Sequence, residues 1–161
     1  MAGEKALKSR LTALAHALRS AHRVLAERAR RDVETERLTV IQPGAWLSIL
    51  TTDPRFAWLR ALSEMIVDLD VFLETDPAPA EDDAAAIRAE VERLIAPSSV
   101  PGTETEFSRQ YWHYVHDEPG VAVVHGEIRQ LLDRLPVPAD VDEGDALHER
   151  HGWAEARRHR G

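Results

Sequence analysis

Two histidines three residues apart, His113 and His116 in YWHYVHDE, come nearest to a metal-binding spacing in this sequence. Positions three apart share a helix face, so two neutral imidazoles there can meet one cation. Glu118 lies just beyond them and His125 follows the next turn, which makes His113, His116, His125 and Glu118 a candidate set for a divalent metal. A catalytic zinc needs three protein ligands and an open position, and the spacing does not single out the third ligand. The favoured expectation is plainer. By the 100° helical count both histidines point opposite Phe107, Tyr111 and Tyr114, on the wet side of their helix.

His22 and His125 differ from that pair. His22 falls in a leucine seam between Leu18 and Leu25, and His125 lies beside Val121, Ile128 and Leu132. A half-buried histidine is expected to be neutral and hydrogen-bonded; if these two met, they would form a pH-sensitive pocket. Glu64 and Asp68, one turn apart in DPRFAWLRALSEMIVDLD, resemble the paired carboxylates of metal-holding bundles. Such sites also need Glu-x-x-His on partner helices, and the chain has none. A solvated edge, with Arg60 as a partner for Glu64, is the reading carried forward.

Catalysis finds no positive support. There is no Cys among the 161 residues, which excludes disulfides, thiolate metal sites and a cysteine nucleophile. The glycine-rich phosphate-cradling patterns, the G-x-S-x-G nucleophile turn and H-E-x-x-H are all missing. Ser63 and Ser108 have histidines elsewhere in the chain, but sequence order alone assembles no triad. No cofactor is expected beyond the metal candidate.

Charge is unevenly placed. The net charge is -8, yet residues 1–31 hold eight Lys/Arg against Glu4 and Glu27, which leaves -14 on the remainder. Lys5, Lys8, Arg19, Arg23 and Arg30, joined by His16, fall along one side of the first helix. That stripe could draw RNA, an acidic partner or an anionic surface. An acidic whole argues against nucleic-acid binding, so pairing with the chain's own acids is the expected use.

These residues need a scaffold, and the hydrophobic pattern supplies helices throughout. Leu7, Leu11, Leu14, Leu18, Leu25 and Ala29 recur at three- and four-residue steps, with no Pro or Gly from residue 4 to 42. About 30 residues would span ~45 Å, longer than the later helices, so an overhanging seam would favour a homodimer. Packing inside a bundle is the competing and favoured expectation. Pro43 opens a short helix; Asp53 and Pro54 cap and start another that runs to about Leu73. Its stripe of Trp58, Leu59, Leu62, Met65, Ile66, Leu69, Phe72 and Leu73 marks it as the expected central helix. Further helices follow over residues 80–95, from a Thr103–Glu106 capping box to about His116, and from Pro119 to Leu135.

The stretch carrying Asp53, Pro54, Phe56, Trp58, Leu59, Arg60, Leu62, Ser63, Ile66, Val67 and Asp70 resembles one in small, uncharacterised, all-helical bacterial proteins. The resemblance covers the central third of the chain and implies a helical fold and no site. The predicted fold is therefore all-α, an antiparallel bundle of four to five helices over residues 1–135 with a long N-terminal helix. Residues 136–161 form an acidic linker and an Arg/His-rich end, HERHGWAEARRHR, expected to be flexible. No secretory signal and no apolar run long enough for a membrane span is expected, which suits a cytoplasmic protein. The expected role is non-enzymatic: a binding or regulatory domain working through protein–protein contacts, with homodimerisation along the first helix as its first mechanism.

Overall fold

The computed structural model describes residues 2–75, 77–98 and 100–138. Among them are six α-helices and no strand: α1 Ala2–Arg37, α2 Pro43–Thr52, α3 Arg60–Thr75, α4 Glu81–Ile95, α5 Glu106–Asp117 and α6 Pro119–Asp133. A 3-10 segment, Pro54–Leu59, runs straight into α3. The all-helical reading is borne out, and no helix among the described residues is long and apolar enough to cross a membrane. From residue 139 onward the acidic linker and Arg/His-rich end lie outside the described residues.

α1 is longer than expected, 36 residues or roughly 54 Å. It ends by a hydrogen-bonded reversal: Leu38 N–H donates to Thr35 O (3.4 Å) and Thr39 N–H to Glu34 O (3.2 Å). Such a closure puts the residue after the helix in the left-handed region, where glycine is preferred. Here Leu38 occupies it, at φ 53°. Asp53 behaves as its sequence predicts: its carboxylate accepts from Arg55 N–H at 2.9 Å, and Pro54 takes the first helical position.

One cap differs from expectation. α5 starts at Glu106 with Thr105, not Thr103, as its cap, and the Thr105 hydroxyl accepts from Ser108 N–H at 3.0 Å. Thr103 instead donates its hydroxyl to Val100 O, closing the preceding turn. Either threonine could serve by local chemistry. α5 also caps its neighbour: Trp112 Nε1–H donates to Ile95 O and Ser108 Oγ to Ala96 O, satisfying carbonyls that the end of α4 leaves without helical donors.

α1, rather than α3, is the central helix. It packs on α6, α3 and α4, while α4 also lies against α3 and α5, and α5 against α6 and the 3-10 segment. Ten α1 residues are buried, against Leu62, Ile66 and Leu69 in α3. Apolar content alone misled here. Met65, Phe72 and Leu73 are only half-covered and Val67 is exposed, because burial depends on having neighbours on several sides. At the start of α6, Gly120 lets the backbone come close to α1. A Cβ there would meet Val24 Cγ1 at 3.3 Å.

The buried side chains fall into two clusters. The larger joins Leu7–Leu25 of α1 to Trp58, Leu62, Ile87, Val91, Tyr111, Ile128 and their neighbours. The smaller holds only Ala29, Val33, Ile41, Trp46 and Phe56, where the last third of α1 meets α2 and the 3-10 segment. Trp46 and Phe56 meet edge to face at 5.4 Å, within the range such pairs favour.

Candidate interaction surface

Of the candidate metal ligands, His116 and His125 both lie against the Trp112 ring, with ring centroids 5.9 and 4.9 Å from it. His113 and His116 are both exposed, as the angular count predicts. His125 is half-buried, and its Nδ1 is hydrogen-bonded to the hydroxyl of the fully buried Tyr111 at 2.7 Å. Burial holds the Tyr111 phenol above its ordinary pKa and His125 below its own, Arg129 adding to the second effect. Burial therefore favours the neutral form of both groups at pH 7. Glu118 faces Arg28 (3.2 Å) and Arg31 (3.0 Å), and its hydrogen bond from Arg28 is the main cause of its lowered pKa. Two guanidiniums beside a carboxylate repel the cation for which it was a candidate ligand. No group of three or more His, Asp or Glu placed to hold a metal occurs among the described residues.

His22 and His125 do not form a shared pocket pair in hydrogen-bonding terms, since each has a different partner. His22 Nε2 lies 2.9 Å from Ser63 Oγ, whose single hydrogen goes to Leu59 O at 3.2 Å. The serine hydroxyl thus lies between the imidazole and the Leu59 carbonyl, and no carboxylate is hydrogen-bonded to the ring to complete a triad among the described residues. Burial lowers the His22 pKa and keeps the ring neutral. Three positions earlier on α1, Arg19 pairs with Asp70. Ser63 and Asp70 thus each meet α1 and set its register against α3. Those two members of the DPRFAWLRALSEMIVDLD stretch have a structural explanation.

The basic stripe is partly neutralised. Arg19 meets Asp70, and Arg30 lies near Glu27 (3.4 Å) and Glu34 (3.8 Å). Lys5 and Arg23 are exposed and Lys8 is half-buried. Glu64 is exposed, as expected of an edge, while Asp68 is half-buried. A stronger ionic junction, unseen in the sequence, ties α1 to the α5–α6 corner. Arg28 bridges Asp32 (3.0 Å), Glu118 and Asp117 (3.7 Å), and Tyr114 donates to Asp32 at 3.3 Å.

The leucine seam, for which a homodimer was the alternative to packing within the bundle, is used inside the chain. Leu7, Leu11, Leu14, Leu18 and Leu25 are all buried among α3, α4, α5 and α6 side chains. It offers nothing to a second copy. Among the exposed large apolar groups, Leu38 (90% exposed), Val40 (76%) and Leu47 (61%) fall together in the connection after α1 and in α2, while Val67, Val100, Val123 and Val137 lie elsewhere.

That segment, LTVIQPGAWLSILTT over residues 38–52, contains no Asp, Glu, Lys, Arg or His in a chain that is 30% charged. Eleven of its fifteen residues are exposed. Ile41 and Trp46 face inward and anchor the segment on the smaller core. On α2 the inward positions 46, 49 and 50 leave 44, 47, 48 and 51 outward, as a helical period requires. The exposed threonine hydroxyls turn back on the helix: Thr51 donates to Leu47 O (2.8 Å) and Thr52 to Ser48 O (2.6 Å). Their donors are satisfied internally, which leaves an outer face with little need of water. The signal was available in the sequence as the longest uncharged run, once the segment was known to be exposed.

Comparisons with protein-family models, with curated proteins and with solved structures each found no match to this chain.

Proposed function

We propose that the chain is an antiparallel helical bundle acting as a non-enzymatic interaction domain, and that it makes protein–protein contacts through the uncharged corner at residues 38–52. One observation carries this reading: eleven exposed residues without a charge, three of them large and apolar, on a surface otherwise dense in ions. Interface centres are depleted in charge in this way, and isolated apolar side chains are not. Leu38 adds weight, because a left-handed leucine is strained and a glycine would close the helix at lower energy. A strained side chain pointing into water gains nothing within its own chain.

The absence of cysteine makes the test direct, since one introduced thiol is unique. The Leu47→Cys variant should react with a maleimide more slowly in the protein's own cells than in dilute purified form. Glu64→Cys, on the α3 edge, should react equally in both. Equal reactivity of the Leu47→Cys thiol in the two settings would end the proposal.

A further inference from the structure

We infer that the α5–α6 hairpin is an acid-sensitive joint whose trigger is the hydrogen bond between His125 and Tyr111. The inference stands apart from the 38–52 corner. His125 on α6 bonds the Tyr111 hydroxyl of α5 at 2.7 Å and packs against the Trp112 ring, with centroids 4.9 Å apart. Trp112 in turn donates its indole N–H to Ile95 O at 3.0 Å, which ties the joint to the end of α4. His125 is only half-buried, so a proton can reach the ring while the bundle is folded.

Hydrogen-bond polarity sets what that proton does. An imidazolium donates from both nitrogens and accepts at neither. Its Nδ1–H must then point at the Tyr111 oxygen, and the phenol hydrogen needs a different acceptor. Tyr111 is 1% exposed, and its hydroxyl has no second partner among the described residues. A buried donor is left unsatisfied, which costs more than the original bond contributed.

The surrounding charges add to the cost. Arg129, one turn along α6, is the charged group that acts on the ring, and it opposes a second positive charge. His116 of α5 lies against the same indole, at 5.9 Å, and is another imidazole able to take a proton. No carboxylate of α1, α4, α5 or α6 bonds His125 among the described residues, so none can offset the new charge at contact.

His22 provides the contrast. It too is half-buried, but Ser63 can send its one hydrogen to Leu59 O and keep an oxygen for the imidazole. Protonation between α1 and α3 therefore breaks no hydrogen bond. Acid should act first where α5 meets α6.

Amide hydrogen exchange of the full chain at pH 7.5 and 5.0, corrected for the intrinsic effect of pH on exchange, tests the inference. Protection across 111–128 is expected to fall by about tenfold, the order of one unsatisfied buried donor, and that of 62–69 in α3 by about threefold or less. His125→Gln, which takes up no proton there, should abolish the difference between the segments, and His22→Gln should leave it. Tyr111→Phe has no phenol hydrogen to strand and should reduce the acid loss while His125 remains. The comparison of segments within the unaltered chain needs no variant to fold. Equal losses in both segments, no loss in either, or an undiminished difference in His125→Gln overturns the inference. So does a gain of protection in acid, which would mean that the Trp112 face holds the imidazolium.

Discussion

Replacing Leu18 by alanine asks whether the α1 seam is closed within one chain. Leu18 is fully buried in the larger core, with Leu14, Ala15, Ala21 and Leu25 in the same cluster. The change removes three carbons, at about 0.8 kcal/mol each, or about 2.4 kcal/mol of lost transfer energy. An incompletely relaxed cavity adds about 1 kcal/mol, for a total near 3.5 kcal/mol, inside the range of about 2–5 kcal/mol typical of such truncations. For a domain of this size that corresponds to a fall in Tm of roughly 7–14 °C. Calorimetry and urea denaturation at 5 and 50 μM provide the measurement. The loss should be the same at both concentrations, because the leucines that pack on Leu18 belong to its own molecule. A loss below 1 kcal/mol, or one that shrinks on dilution, would show that the seam is completed by another chain and that the core assignment is wrong.

Other expectations are smaller in scale. Leu38→Gly should raise stability by about 1 kcal/mol by relieving the left-handed strain; a fall in Tm would contradict the backbone argument. His22 and His125 both have folded pKa values depressed below 6.5. The unfolded chain therefore takes up protons first as pH drops, so stability is complete above pH 6.5 and is lost as pH falls through the folded values. Urea midpoints at pH 7.5 and 5.0 should show this slope, and His125→Gln, whose amide keeps a hydrogen-bonding partner for Tyr111, should flatten it. Treatment with a chelator should leave Tm within 1 °C. A rise of several degrees on adding equimolar zinc, abolished by His113→Ala, would instead restore the metal reading. Arg28→Ala should lower Tm by several degrees and Arg23→Ala by less than one, since Arg28 joins three acids across the α1–α5–α6 junction and Arg23 is exposed.

Helices were the legible part of this chain because their signals are local. Leucines at three- and four-residue steps, Asp53-Pro54 and Pro119 all act within a turn or two, and α1, α2, α4 and α6 lie close to where those signals place them. The α5 cap was displaced by two residues because Thr103 and Thr105 are equivalent in local chemistry. What escaped the sequence was long-range. Ser63 stands 41 positions from His22 and Glu118 stands 90 from Arg28, so no window joins them. The choice of central helix escaped for the same reason, since α3 is rich in apolar residues but lacks neighbours on every side. The uncharged run at 38–52 was readable all along. Its meaning depends on exposure, which composition does not report.

The division of α1 between two unequal cores means that the chain need not open as one unit. Five buried side chains, with half-buried Ile49 and Leu50 beside them, hold the last third of α1, α2 and the start of the 3-10 segment together, far fewer than secure the rest, to which Trp58 and Leu59 belong. That end should behave as its own foldon, with amide hydrogens across 41–56 exchanging through sub-global openings well before those of 7–25. A molecule docking on the corner would tighten this small unit first. Slowed exchange confined to one end of a continuous helix would then report its presence without any change of shape.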